Sequence, residues 1–282
     1  MVRNLDHLFD WSEASRARIA LTNAYEPIQP YILLELAREM NCSHFIDVGA
    51  NIGYYSVLFA AEEAIEVVHA YEPMQAAHEE TIRNAALNGL SKKVIVEKLA
   101  LSSASGKVDI AVINELSGAN SIICTTIHHD KPATRIESVR TSTLDNELPL
   151  RGLRIAIKID VEGHEPEVLE GGTSLLQENT CIIQVESYDD EAAKNRTVGA
   201  LNGLGYRKIL RVGPDYYFTN CPELSENSVA AIERALGEYI RDRRRHPARR
   251  NSDPVRKRVF KGVTVEFSPR LVKLICRTLR IR

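Results

Sequence analysis

The chain is predicted to fold as an α/β protein, a mostly parallel sheet carrying helices on both faces. Two observations predict it. Short runs of β-branched and apolar residues alternate with amphipathic stretches of helical period along most of the chain. Parallel strands require such crossovers, and helices returning above and below the sheet bury both of its faces. Glycine-containing or acidic turns follow the principal strands, which is where open α/β sheets bind their ligands.

The elements follow in order. Residues 25–40, from Tyr25-Glu26-Pro27 through Ile32, Leu33, Leu36, Ala37 and Met40, have the spacing of an amphipathic helix. A first strand is expected at 44–48 and its helix at 53–63. Glu66 to Glu72 reads as the second strand, stopped by Pro73. A helix through Ala76, Ala77, Ile82, Ala85, Ala86 and Leu87 closes at Asn88-Gly89, where glycine suits a left-handed cap. Val94-Ile95-Val96 opens a third strand, expected to run into Leu99-Ala100-Leu101. Residues 106–143 break the rhythm. Short β-type runs there surround the polar stretch Ser117-Gly118-Ala119-Asn120-Ser121, which suggests an inserted hairpin or a sheet-edge excursion. Strand–helix alternation resumes with Arg154–Asp160, a helix from Glu165, Cys181–Glu186, a helix over 189–204 and closing strands at 206–212 and 216–219.

Composition bounds the setting. The 282 residues, 44% apolar and 26% charged, suit one large α/β domain of ordinary globular type. The five cysteines are odd in number, widely spaced and form no C-x-x-C pair. That argues against a disulfide framework or a zinc site and fits a reducing compartment. The first residues show no apolar signal core, and no run approaches the ~18 apolar residues of a membrane span. The expected location is cytoplasmic. Charge is uneven: residues 241–282 hold 15 Lys and Arg against three acids, the first 240 residues 21 against 35. The expected organisation is therefore a domain over 1–240 and a basic tail over 241–282.

The most informative stretch is 44–56, where a β-type run meets a tight turn and a helix start. Its spacing is Asp47-x-Gly49-x-Asn51-x-Gly53, which departs from the G-x-G-x-x-G of dinucleotide binders. Glycines let a ligand approach the backbone, and free N–H groups at the helix start favour an anionic group. The spacing resembles the first motif of S-adenosylmethionine (SAM) dependent methyltransferases. Glu72, 25 residues after Asp47 at a strand end, is placed to accept hydrogen bonds from both hydroxyls of a ribose. Asp47 would bond turn amides or reach the ligand's amino group through water. Ala100 and Leu101 fall where an adenine ring would lie, or are plain core.

A second block is Lys158-Ile159-Asp160-Val161-Glu162-Gly163-His164-Glu165-Pro166-Glu167-Val168-Leu169-Glu170-Gly171. With the first turn, Glu72-Pro73 and the Ser-Gly-Ala-Asn-Ser stretch, it makes the chain resemble, over a core of about 25–220, the FkbM family of SAM-dependent methyltransferases. The resemblance implies a Rossmann-like class I methyltransferase fold with a seven-stranded sheet and SAM as cofactor. It also implies methyl transfer to a hydroxyl of a sugar, glycoconjugate or secondary metabolite. Tyr25 resembles the family's N-terminal segment that closes over the donor, though it could equally serve packing.

Methyl transfer from a sulfonium is an in-line displacement, so the protein mainly aligns donor and acceptor. An alcohol is a weak nucleophile near neutral pH, and a base or metal helps remove its proton. Asp160 and Glu162 are the candidates to position the acceptor, with His164 or Asp160 as base. Strand alternation puts Lys158 and Asp160 on one face, where Lys158 would tune a neighbouring acid or hold the site together. Asp160 and Glu186 end neighbouring strands, a placement that resembles the metal ligands of magnesium-dependent O-methyltransferases and makes Mg2+ a candidate second cofactor. Asn120 and Ser121 would line a donor or acceptor pocket.

In the tail, Arg270, Lys273, Arg277 and Arg280 form a basic stripe beside Leu271, Leu274, Ile275 and Leu279. Such a helix lies on an anionic membrane surface, packs on its own acidic body, or bridges a homo-oligomer. A rival reading is a nucleic-acid methyltransferase or binder standing on this tail. The lack of an Asn/Asp-Pro-Pro-Tyr type motif and, apart from Phe260 and Phe267, of interleaved aromatics argues against it.

Overall fold

The computed structural model describes residues 29–113, 121–122, 133–187, 191–212, 214–224 and 233–235. Tyr25, Asn120 and the basic tail lie outside the described residues. A central sheet of seven strands is ordered β10-β11-β9-β8-β1-β2-β3. Its strands are β1 (His44–Val48), β2 (Val67–Tyr71), β3 (Val94–Glu97), β8 (Arg154–Ile159), β9 (Thr180–Glu186), β10 (Arg207–Val212) and β11 (Asp215–Thr219). Neighbours pair in parallel except β11, which runs against both β9 and β10. The predicted Rossmann-like α/β sheet is therefore present.

Each central strand sends alternate side chains to opposite layers. Phe45 joins the layer under α1 (Gln29–Glu39), α2 (Tyr54–Ala60) and α3 (Gln75–Leu87). Ile46 joins the other, with Leu144 and Leu148 around α4 (Leu144–Glu147), Val168 and Leu169 of α5 (Glu165–Gly171), Leu175 and Leu176 of α6 (Thr173–Glu178), and Leu201 of α7 (Glu191–Gly203). In β8, Ile155, Ile157 and Ile159 take the second layer, which leaves Ala156, Lys158 and Asp160 to the first. Fully burying an aliphatic or aromatic side chain contributes about 1.5–3 kcal/mol. Both layers hold many such residues, so the strand tips rest on a rigid base.

Two sequence expectations are corrected. The third strand does not run into Leu99-Ala100-Leu101. It ends at Glu97, and β4 (Ala100–Leu101) belongs to a separate sheet of order β4-β7-β5-β6. The chain turns there, with Leu99 N–H donating to Glu97 O. The region 106–143 is more than a hairpin. β5 (Gly106–Val112) pairs antiparallel with β6 (Ser121–Ile122) and with β7 (Arg135–Ser142), while β4 pairs parallel with β7. Ile110, Val112, Ile122 and Val139 of this sheet pack with Met74, Ala77 and Ala100, close to the start of α3. The short helices α4 and α6 were also absent from the sequence reading.

Candidate active site

The first turn is held from three sides. Gly49 and Ala50 donate their N–H groups to Tyr71 O at the tip of β2. Gly49 has φ +79, and a Cβ there would sit 1.9 Å from Asp160 O. Its glycine therefore serves the close approach of β1 and β8. Gly53 has φ +78, and a Cβ would meet Thr81 of α3 at 2.7 Å. Thr81 Oγ1 donates to Asn51 O at 2.5 Å and Asn84 Nδ2 to Ile52 O at 2.7 Å, so α3 grips the turn through polar side chains on its buried face. Asn51 itself has φ +49, a left-handed conformation that asparagine tolerates.

Glu72 is buried beside this turn. One oxygen accepts Asn51 N–H and the other Met74 N–H, both at 2.9 Å. Burial pushes its carboxyl up to about 7, against the pull of those two amides. Asp47, also buried, accepts the Ser56 hydroxyl at 2.6 Å. Burial raises its pKa too, while Lys158 and Ser56 oppose the shift. Asp47 thus ties β1 to α2. Ala100 is a buried core residue of the second sheet, packed near Met74.

The second block forms the other wall. Lys158 Nζ lies 2.7 Å from Asp160 Oδ2, with their side chains 5% and 10% exposed. Lys158 stands directly between Asp47 and Gln184 across the sheet, and its ammonium lies 4.5 Å from the centre of the Tyr55 ring. Glu162 has φ +55 and Gly163 φ +99, a turn uncommon for a residue with a side chain. Glu165 holds that turn, its Oε1 accepting Val161 N–H at 3.2 Å and Gly163 N–H at 3.0 Å. Burial pushes the Glu165 carboxyl up to about 7 as well.

His164 is engaged elsewhere. Its Nε2 lies 2.9 Å from Ser102 Oγ, and its Nδ1 lies 3.5 Å from Glu167, which Arg196 also holds. Burial holds its pKa below the ordinary histidine value. Its Nε2 therefore joins the second block to Ser102 just beyond β4, while Nδ1 faces Glu167 of the block's own helix without a hydrogen bond among the described residues. Asp160 and Glu186 do end neighbouring strands, but among the described residues no three His, Cys, Asp or Glu side chains are grouped to hold a metal. The Mg2+ expectation finds no support there.

Residues 47–208 match the Methyltransferase FkbM domain. The chain belongs to the FkbM methyltransferase family. Both walls of the site fall inside the matched span. Methyltransferase sdnD of Sordaria araneosa is 24% identical in an alignment 187 positions long that covers 57% of this chain and 72% of that protein. The crystal structure of Methyltransferase FkbM from Methylobacillus flagellatus KT aligns with a TM-score of 0.47 and 15% identity, over 64% of this chain. The alignment spans 44% of that longer protein. The O-methyltransferase TomG from Streptomyces achromogenes, involved in tomaymycin synthesis and solved with SAM, aligns at a TM-score of 0.45 and 15% identity, over 78% of this chain and 90% of that one.

Several residues of this FkbM site escaped the sequence reading. Gln184 carried a readable signal, one polar residue inside the apolar run Cys181-Ile182-Ile183-Gln184-Val185. Thr81 and Asn84 carried another, polar residues three apart on one helix face. Tyr55, Ser102 and Asp215 gave no local sign of their contacts, because their partners lie far away in sequence, whereas Ser56 stands only nine positions from its partner Asp47.

Proposed function

We propose that this methyltransferase uses SAM to methylate a hydroxyl of a sugar, glycoconjugate or secondary metabolite. One observation supports it most: the glycine turn and the Lys158–Asp160 pair are packed together, with Asp160 O against Gly49. A donor held at the turn would then lie beside a carboxylate able to take a hydroxyl proton.

The residues fit a SAM nucleoside. Asn51 Oδ1 is a buried acceptor at the turn with no hydrogen-bond partner among the described residues, available for a ligand N–H or O–H. Each Glu72 oxygen accepts one backbone N–H and keeps a second lone-pair position for a ribose hydroxyl. In this reading Asp47, Gly49, Asn51, Gly53 and Glu72 hold the donor, with Ala100 at the adenine side and Tyr25 in the segment that closes over it. SAM supplies an activated methyl group on a sulfonium.

Asp160 accepts the proton of the incoming hydroxyl and Glu162 orients the acceptor. Lys158, buried against Asp160 at 2.7 Å, holds that carboxylate in place. His164, anchored to Ser102, fixes the loop that presents Glu162. The test is transfer of a labelled methyl group from SAM to a panel of hydroxylated acceptors. We also propose that the basic tail brings the enzyme to anionic membrane surfaces, from the cytoplasmic side.

A further inference from the structure

We propose that Gln184 is a positioning residue, which holds the Tyr55 ring over the Lys158 ammonium and so fixes Lys158 against Asp160. Gln184 is 0% exposed in the middle of the sheet, with Lys158 beside it on β8 and Tyr217 beside it on β11. Nothing in the packing of an apolar strand requires an amide there. Its Nε2 donates to Tyr55 Oη at 3.0 Å and to Asp215 Oδ1 at 2.8 Å.

The orientation of this amide is forced. A carboxylate only accepts, so the nitrogen of Gln184 must face Asp215. The consequence is visible, because Gln184 Oε1 is buried without a hydrogen-bond partner among the described residues. Asp215 is itself clamped, its second oxygen accepting Gln29 Nε2 of α1 at 3.3 Å. Gln29 is tied in turn by Tyr217, whose hydroxyl donates to its carbonyl at 3.1 Å. A continuous chain thus runs from α1 through β11 and β9 to the phenol on α2. At its end the aromatic face meets Lys158 at 4.5 Å, and Lys158 meets Asp160 at 2.7 Å. Release of the phenol lets the ring leave the ammonium, and Asp160 loses a fixed partner.

The effect on turnover rests on the proposed role of Asp160, whereas the positioning does not. The test uses the full chain labelled with ¹³C at the lysine ε-carbon. The Lys158 signal is identified by its loss in Lys158→Arg. In the wild type its ε-protons are displaced upfield by the Tyr55 ring. Gln184→Met and Tyr55→Phe should each move that signal toward those of the other lysines, and the double variant no further than the larger single change. Tyr55→Phe leaves the Gln184–Asp215 bond intact, so the test survives if Gln184→Met folds poorly. An unmoved signal in Tyr55→Phe, or additive displacements, overturns the proposal. In the labelled-methyl assay both variants should lower kcat about tenfold with the KM for SAM little changed. A silent wild type alongside the expected signal changes would instead overturn the proposed reaction and leave the positioning standing.

Discussion

Glu72 and Glu165 are carboxyls that burial pushes from 4.5 to about 7 while backbone amides reward their charged form. The sign of the linkage follows. Between those values the folded chain keeps protons that the unfolded chain releases, so this stabilisation is complete below about pH 4.5 and is lost as pH rises through 7. Each group contributes up to about 3 kcal/mol by this linkage. The difference in urea midpoint between pH 5 and pH 8 should shrink in Glu165→Gln, and an unchanged difference would refute the assignment. Donor affinity should run the opposite way, because a charged Glu72 accepts ribose hydroxyls better. SAM affinity is expected to rise with pH through 7. Asp160→Asn should retain donor affinity and lose roughly 100-fold or more in turnover. Full activity in that variant would remove Asp160 as proton acceptor. At this scale Asp47, Glu72 and Asp160 were legible, because acids at strand tips stand out from apolar runs. His164 was legible as a polar residue but not in its engagement with Ser102, 62 positions away.

The strand–turn–helix unit over 44–60 shows why the first motif reads so clearly. Its glycines answer to the protein's own packing, Gly49 to Asp160 O and Gly53 to Thr81. Gly49→Ala combines a left-handed backbone with a backbone clash, and should destabilise the fold by roughly 3 kcal/mol or more. Thermal unfolding checks this, and a midpoint unchanged from wild type would contradict the packing role. Thr81→Val removes the hydroxyl that secures Asn51 O, and should cost about 1 kcal/mol and weaken SAM binding. Periodicity located β1, β2, β8 and β9 because their pattern of burial is continuous. It failed at Leu99-Ala100-Leu101, where two apolar runs separated only by Glu97-Lys98 serve two sheets and the chain turns between them. No local pattern distinguishes a strand that continues from one that changes partners.

Across the whole molecule, two helix-covered layers hold the tips of β1, β2, β8 and β9 at one edge, and both blocks of the FkbM motif meet there. The second sheet packs beside Met74 and Ala77, next to the Glu72 turn. Its pairing was not legible, since β4 and β7 pair residues 41 positions apart, Ala100 with Thr141 and Leu101 with Ser142. The same scale governs the tail. With 15 basic residues against three acids, removal of 241–282 should abolish binding to anionic vesicles while SAM affinity persists. Equal sedimentation of the truncated chain would exclude the membrane role. Everything turns on a donor seated at the first turn. Calorimetric titration of the wild type with SAM is the most direct measurement, repeated on Glu72→Ala and Asp160→Asn. The expected result is a single site, weakened at least about tenfold in Glu72→Ala and nearly unchanged in Asp160→Asn. Absence of binding in folded wild-type protein, or equal affinity in Glu72→Ala, would contradict it.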